Sequence, residues 1–427
     1  MLLGGTPGEE KPPAPVDPRL PKGALRRTFS RPQHTIAPMC GLRRAVCVHL
    51  DARVPLATGQ LYLRALEQAW DRFVGALGLP APLPDFGLGP TAGLDLYLMN
   101  DALTELHVAA DPRRTLEDRT SGFCQVRPFE PDHERHAAAC LLEVSLLGLD
   151  AAETPHVRRA IATELRLLAA PPSRADYQSF DDQQANPQLG ILTRDASGAS
   201  NGSAIWFRYA GAQLAAPRSN TFTTALLQLA RGATKPGEPE WHNEPDTLDV
   251  LRAAFAERAR PFEDFLLDFA IARAFLGARD AAQTQPALAW LGNAGRVRFD
   301  WVLTTSSLPR RVAPRRPIEP FGASYLWLDL DRVTLSKTLA FRAEWEAPVA
   351  FRWSLVAVDG AGRQLKRFDL PYVQNATSAE RTLVDYDGAR GFIIVGTNLG
   401  GVDLAHPFDP DFEPHEPHGF TVYLAEI

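Results

Sequence analysis

The sequence is short of lysine and has no excess of positive charge. Only five of its 427 residues are lysine, and 51 acidic residues outnumber 45 basic ones, which gives a net charge of -6. Proteins that bind nucleic acids need a clustered positive surface. We therefore predict that nucleic acid is not a partner of this protein.

Long apolar runs are also absent. No stretch approaches the roughly 20 apolar residues that a helix needs to cross a bilayer, so we predict no transmembrane segment. The start of the chain, Met1 to Gly5, is too short for the apolar region of a signal peptide. Two interpretations stay open, a cytoplasmic protein or the mature or mis-started form of an exported one.

Cysteine is scarce, with four residues at positions 40, 47, 124 and 140. An even number permits two disulfides, and pairing between sequence neighbours would join Cys40 to Cys47 and Cys124 to Cys140. Four reduced, buried thiols are the alternative.

What is present is typical of a globular protein, at 45% hydrophobic and 22% charged residues. A chain of this length usually forms two or three domains. Residues 1–36 are rich in proline and charge and lack an apolar period, which predicts a flexible leader. We predict a domain of strands and helices over 37–292 and a β-sandwich domain over 293–427.

Apolar periodicity predicts the elements of the first domain. Strands are expected at 44–50, 93–99 and 122–126. Helices are expected at 58–77, 134–147, 154–169, 202–215, 221–231, 246–258 and 262–276. Thr154 before Pro155 is typical of an N-cap and a first helical turn. A polar loop is expected after Pro171 and Pro172.

From about residue 296 the apolar period changes from 3.6 to 2. Alternating runs occur at 296–303, 324–330, 338–345, 349–358, 363–370, 381–385, 391–396 and 419–425. Eight short strands without helical interruption predict an antiparallel β-sandwich, so the fold class is α+β. The basic run 310–316 is interpreted as a linker between the domains, either exposed or docked on acidic residues.

Several segments of the chain occur in a characteristic order over about residues 38–427. They are Cys40-Gly41, Phe73 to Pro80, Pro84 to Gly89, Leu94 to Leu98, Pro261 to Ala270 and Ala274 to Gly277, followed by the sandwich. This order resembles a family of bacterial, mostly secreted metallopeptidases of the gluzincin-like type. Such enzymes carry a His-Glu-x-x-His zinc helix, which the resemblance places at 161–169.

The resemblance implies that the zinc ligands are missing. Thr163 and Leu167 stand at the two histidine positions, Glu164 stands at the general base, and Asn201 stands near the third ligand. Leucine has no lone pair for a metal, and a threonine hydroxyl is not a usual zinc ligand. Because the metal polarises the carbonyl and acidifies a water, a glutamate alone does not suffice. We therefore predict a catalytically inactive relative without a cofactor.

A retained peptidase scaffold would act by binding a protein, peptide or glycan, or as a component of the cell envelope. The resemblance also implies export, so we expect an extracytoplasmic or secreted protein, with a cytoplasmic one as the alternative. Export in turn favours the two disulfides. The simpler explanation of Glu164 is a solvated or salt-bridged helix residue beside arginines such as Arg166.

An active hydrolase is the first alternative function. His133 and His136 form an i, i+3 pair that can hold a metal on a helix, with Glu134 or Asp132 as a helper. An exposed, charged helix start explains the same residues without a metal.

Ser200 offers a second route to hydrolysis. It is the serine of a Gly-x-Ser-x-Gly segment at 198–202, which resembles a nucleophile elbow. A cluster of small and polar residues is more often a loop and an N-cap.

A binding module on the sandwich is the remaining alternative. In the predicted strand 324–330, Tyr325 and Trp327 point to the face opposite the leucines at 326, 328 and 330. The two rings are candidates for a sugar- or peptide-binding platform. Packing of the same rings against the helical domain is the competing interpretation.

Overall fold

The structure is a computed structural model. It describes residues 30–32, 36–85, 87–102, 104–112, 118–151, 153–191, 199–214, 226–227, 245–276, 295–330, 338–347, 349–401 and 417–427. Residue contacts divide the chain into two compact units. The first comprises the described residues of Met1–Ala170 and Phe222–Leu251, and the second those of Pro171–Thr221, Arg252–Phe408 and Phe412–Ile427. The boundaries predicted at 36 and 292 stay predictions.

A five-stranded mixed sheet forms the centre of the first unit. Its strands are β1 (Met39–Cys40), β2 (Val46–Leu50), β3 (Leu94–Leu98), β4 (Leu106–Ala110) and β5 (Gly122–Val126). The strand order is β1-β2-β3-β5-β4, with β2, β3 and β5 parallel and the outer strands β1 and β4 antiparallel to their neighbours. All residues of β2 and β3 are buried, as expected for parallel strands that are covered on both faces.

Three helices of the first unit follow the predicted positions. They are α1 (Leu56–Trp70), which continues in a π-helical turn at Asp71–Ala76, α2 (His133–Leu147) and α3 (Pro155–Ala169). The predicted cap of α3 is confirmed, because the Thr154 side chain accepts a hydrogen bond from the Val157 amide and Pro155 opens the helix. Helix α1 packs on β2, and α2 packs on β4, β5 and both other helices.

Both disulfides are formed between sequence neighbours. Cys40–Cys47 joins the paired strands β1 and β2, and Cys124–Cys140 ties β5 to α2. Two disulfides are typical of proteins from oxidising, extracytoplasmic compartments. No helix in the described part of the chain is both long and apolar enough to span a membrane.

Five further helices lie in the middle of the chain. They are α4 (Arg174–Ala185), α5 (Ala199–Gly202), α6 (Ala204–Leu214), α7 (Thr247–Ala256) and α8 (Phe262–Ala274). The prediction of a loop after Pro172 is therefore wrong over 174–185, where the chain forms α4. That helix is polar, and it begins with a capping box in which Ser173 and Asp176 bond each other's backbone amides. The helix predicted at 221–231 lies outside the described residues except for Leu226 and Leu227.

The C-terminal part of the chain forms the two sheets of the predicted sandwich. Their strands are β6 (Trp301–Thr304), β7 (Arg310–Val312), β8 (Ala323–Asp329), β9 (Leu339–Trp345), β10 (Val349–Val358), β11 (Gln364–Asp369), β12 (Ser378–Leu383), β13 (Gly391–Gly401) and β14 (Phe420–Glu426). One sheet has the order β11-β10-β13-β8-β6, the other β12-β9-β14-β7. The predicted linker is thus partly a strand, since Arg310–Val312 pairs with β14. The fold is α+β.

The central strands β8, β10 and β13 of the five-stranded sheet are buried on both faces. One face shares a core with the four-stranded sheet, built on Leu326, Phe341 and Trp353. The other face packs against α8, where Leu267 and Ile271 meet residues of β8, β10 and β13. This second layer explains why β10 and β13 are buried at nearly every position.

Candidate functional site

Helix α3 buries the residues that the resemblance assigns to the reaction centre. The exposed fractions are 6% for Thr163, 2% for Glu164 and 8% for Leu167. Eleven of the fifteen α3 residues are buried, Arg166 among them. The helix is therefore part of the core of the first unit, and neither histidine position carries a metal-binding side chain.

Asn201, the predicted third position of a lost zinc site, and Ser200, the alternative nucleophile, lie in the second unit. Asn201 and Ser200 both belong to the short helix α5, where Asn201 is half-buried and Ser200 is buried. The strand that a nucleophile elbow would require falls at 191–193, of which only Ile191 is described, as a turn residue. A role for either residue stays a prediction.

Tyr325 and Trp327 differ in their surroundings. Tyr325 is 0% exposed, its ring packs against α8, and its hydroxyl donates a hydrogen bond to the Ala270 carbonyl. Trp327 is half-buried and lies 6.3 Å from the ring of Phe299. Packing against a helix, the competing interpretation, therefore describes Tyr325, and of the two rings only Trp327 reaches the surface.

One histidine of the predicted pair belongs to a cluster of possible metal ligands. Donor atoms of Glu105, Asp132 and His136 all lie within 4.8 Å of one another, and they are the one such group in the described part of the chain. His136 is buried at the start of α2, and the side chain of Glu105 is 52% exposed before β4. His133 is not part of this group; its ring lies edge-on to Tyr62 at 6.2 Å.

Hydrogen bonds orient the imidazole of this cluster. Nδ1 of His136 lies 2.9 Å from the Tyr62 hydroxyl, and Nε2 lies 2.8 Å from Oε1 of Glu105. An imidazole protonated at Nε2 donates to Glu105 and accepts from Tyr62. The bond from His136 holds the pKa of Glu105 at about 2, and burial raises the pKa of Tyr62 to about 12. Nε2 thus points at a partly exposed carboxylate.

Arg135 already supplies a positive charge to this group. Its Nη2 atom bonds Glu105 and lies 3.3 Å from Oδ2 of Asp132. A metal ion bound by the three ligands would therefore compete with a guanidinium for the same oxygens.

A second charged cluster lies at one edge of the N-terminal sheet, and we call it the Arg31 socket. Asp85, Asp95 and Asp111 surround the guanidinium of Arg31. Asp95 is the second residue of β3, Asp111 follows β4, and Phe123 is the second residue of β5. These ends meet at one edge because β3 and β5 are parallel and β4 runs antiparallel to β5.

The guanidinium is held on every side. Nη1 of Arg31 lies 2.5 Å from Oδ2 of Asp95 and 3.2 Å from Oδ2 of Asp85. Asp111 is bidentate, with its oxygens 3.2 Å from Nε and 2.6 Å from Nη2. The Phe123 ring faces the guanidinium carbon, 4.9 Å from the ring centroid.

In the Arg31 socket, burial and the neighbouring charges shift the pKa values of Arg31 and Asp85 in opposite directions. Burial alone lowers the pKa of Arg31, but the hydrogen bond to Asp111 and the three carboxylates raise that pKa above its ordinary value. Burial raises the pKa of Asp85, and Arg31 opposes the shift. Burial and the charge of Asp95 raise the pKa of Tyr97 to about 12. The guanidinium is therefore charged at every physiological pH.

A third group, the carboxyl cluster, contains Asp118, Asp150, Glu153 and Asp246, all buried in the first unit. Burial and the other three acids raise the pKa of Asp150 well above its ordinary value, and burial raises the pKa of Glu153 to about 7. Backbone amides support Glu153, with Thr154 N at 2.7 Å and Thr247 N at 3.4 Å from its oxygens.

Sequence patterns do not indicate the Arg31 socket. Arg31 lies in the predicted leader, and it is 64 residues from Asp95 and 80 from Asp111. The one signal in the sequence is the acidic residue Asp95 inside an otherwise apolar strand, because an unpaired buried charge is costly.

Comparisons with known proteins add little. No family model matches the chain, and the search of curated proteins finds no match. One similar solved structure is the enzymatically active domain of tailspike protein 4 of bacteriophage CBA120, at 9% identity and a TM-score of 0.18. The match covers 28% of this chain and 17% of the tailspike chain. A similarity this small carries no argument about fold or function.

Proposed function

We propose that the protein is a catalytically inactive relative of zinc peptidases, and that it acts by binding a peptide, protein or glycan outside the cytoplasm or in the cell envelope. The burial of Glu164, together with Thr163 and Leu167 at the two positions that the resemblance assigns to histidine, carries this proposal. A catalytic zinc site needs three protein ligands and a coordination position that is open to water. Glu164 is only 2% exposed, which does not favour such a position beside it.

The two disulfides support the proposed location. Both are closed between neighbouring elements of the first unit, and such bonds persist in oxidising compartments.

The test is metal content and hydrolysis, measured on the full-length protein. We expect substoichiometric zinc by elemental analysis and no cleavage of a mixed peptide library. We expect Glu164→Gln to behave like the wild type in that assay, as does Glu257→Gln, the matched change at an exposed position. Chelator-sensitive cleavage that disappears in Glu164→Gln and persists in Glu257→Gln would contradict the proposal.

A metal-dependent hydrolase is the second candidate, because Glu105, Asp132 and His136 bring three donors together. Carboxylates with one imidazole suit a divalent transition metal. Cobalt binding, followed by visible absorption, is the test. Stoichiometric binding that Arg135→Gln strengthens and His136→Asn removes, with His133→Asn as the control, would favour this candidate if hydrolysis accompanies it.

A further inference from the structure

The walls of the Arg31 socket are held in place by the sheet and its loops. Oδ1 of Asp95 accepts a hydrogen bond from Thr91 at 2.6 Å and lies 2.8 Å from Nε2 of His49. Oδ2 of Asp111 accepts from Ser121 at 2.7 Å, and Oδ1 of Asp85 accepts from the Gly87 amide at 3.1 Å. Each carboxylate therefore has a donor other than Arg31, and these donors orient the socket.

The guanidinium enters the socket from the surface. Arg31 as a whole residue is half-buried, but its side chain is 8% exposed. The three aspartates are all buried, with Asp95 at 0%. The charged groups of the socket are therefore buried in the first unit, while other atoms of Arg31 reach the surface.

The shape of the socket suits a guanidinium better than an ammonium. Asp111 binds two nitrogens of one edge, Asp95 binds a third nitrogen, and Phe123 covers a flat face. A planar fork satisfies all of these at once, and a lysine ammonium does not. Three carboxylates against one guanidinium also leave excess negative charge, which favours a cationic ligand.

We propose that this socket recognises the arginine side chain of a peptide partner, and that Arg31 fills it in cis as a tethered competitor. The inference rests on the proposed non-catalytic, binding role, and it names the class of ligand. A tethered group competes at an effective concentration of about 1 mM. The wild type therefore binds an arginine ligand weakly, and loss of the Arg31 side chain opens the socket.

The experiment is calorimetric titration of full-length Arg31→Ala with N-acetyl-arginine amide. We expect one equivalent to bind at least about tenfold more tightly than to the wild type, since the tethered competitor is gone. The amides of N-acetyl-citrulline and N-acetyl-lysine, which lack the charge or the fork, are expected to bind at least about tenfold more weakly than the arginine amide. Arg44→Ala removes an exposed arginine that pairs with Asp71, and it is expected to titrate like the wild type.

Arg31→Lys is the second variant, to be used if Arg31→Ala does not fold, because lysine keeps a positive charge beside the three aspartates. We expect the arginine amide to bind Arg31→Lys more tightly than the wild type. Absence of binding to every folded Arg31 variant, or equal binding of the lysine amide, would overturn the proposal and leave Arg31 as a structural ion pair. Neither result touches the proposed lack of hydrolysis, and peptide cleavage would overturn that proposal while leaving the socket intact.

Discussion

The first unit buries carboxylates in two places, and the two places compensate negative charge differently. In the Arg31 socket, three aspartates face a guanidinium at 2.5 to 3.2 Å. In the carboxyl cluster, four acids lie together, and burial raises the pKa of Asp150 and Glu153. A buried carboxyl group avoids the cost of an isolated charge either by pairing or by retaining its proton. The stability of the Arg31 socket is therefore expected to depend on the charge of Arg31, and that of the carboxyl cluster on pH.

Removal of the positive charge of Arg31 is expected to have the largest effect on the stability of the fold. We expect Arg31→Ala to lower the free energy of unfolding by about 3–5 kcal/mol, because it leaves buried carboxylates unpaired. Arg44→Ala breaks an exposed ion pair with Asp71, and we expect a loss below about 1 kcal/mol. Urea unfolding measures both. Equal losses would show that Arg31 is not needed to compensate the socket.

An Asp→Asn change in the Arg31 socket and one in the carboxyl cluster distinguish a carboxylate that is stabilised by an ion pair from a carboxyl group that retains its proton. At pH 7, Asp111→Asn removes a charge-assisted, bidentate bond to Arg31 and should cost about 1.5–3 kcal/mol. Asp150→Asn replaces a carboxyl group with a raised pKa by a neutral amide, so we expect a smaller change. A larger loss in Asp150→Asn would mean that the carboxyl cluster is ionised and compensated by other means.

The backbone beside the socket offers a steric test. A Cβ added at Gly89 would lie 2.4 Å from Oδ2 of Asp95 and 2.5 Å from Nη1 of Arg31. We expect Gly89→Ala to cost about 1–3 kcal/mol in thermal or urea unfolding. Gly360→Ala is the control, because nothing lies within 4 Å of the added atom. An unchanged stability in Gly89→Ala would show that the ion pairs shift at little cost.

The carboxyl cluster predicts a dependence on pH. Glu153 has an ordinary pKa of 4.5 and a pKa of about 7 in the fold, so the folded protein binds more protons than the unfolded chain between these values. The free energy of unfolding should therefore fall as pH rises from 4.5 to 7, by at most about 1.4 kcal/mol per pH unit for one proton. Chemical unfolding at several pH values should show a shallower slope in Glu153→Gln and an unchanged slope in Glu257→Gln. Equal slopes would exclude Glu153 as the titrating group.

Periodicity predicted most of the secondary structure, and the misses have physical causes. The strands at 122–126 and 349–358 have the bounds that were predicted, because their apolar residues face packed layers. Helix α4 was missed because it is polar and is stabilised by a capping box, which the apolar period does not register. Strand β7 was missed because Arg310 and Arg311 are exposed on an edge strand, where charge is favoured.

Less of the candidate site than of the secondary structure could be predicted from the sequence. The helix of Glu164 was predicted with its cap, and the structure adds that Glu164, Thr163 and Leu167 are all buried. His136 was predicted as a possible ligand beside His133 and Asp132, but its nearest carboxylate is Glu105, which is 31 residues away. Contacts of this kind depend on strand order, which local patterns do not determine.

The sequence by itself determined the α+β class and the change from helical to strand periodicity. Those properties follow from the chemistry and spacing of neighbouring residues. Only the tertiary structure decided which charges meet. Arg31 reaches Asp95 and Asp111 because three strand ends share one edge of the sheet. The pKa of Asp150 is raised because the fold buries it beside acids that include the distant Asp118 and Asp246.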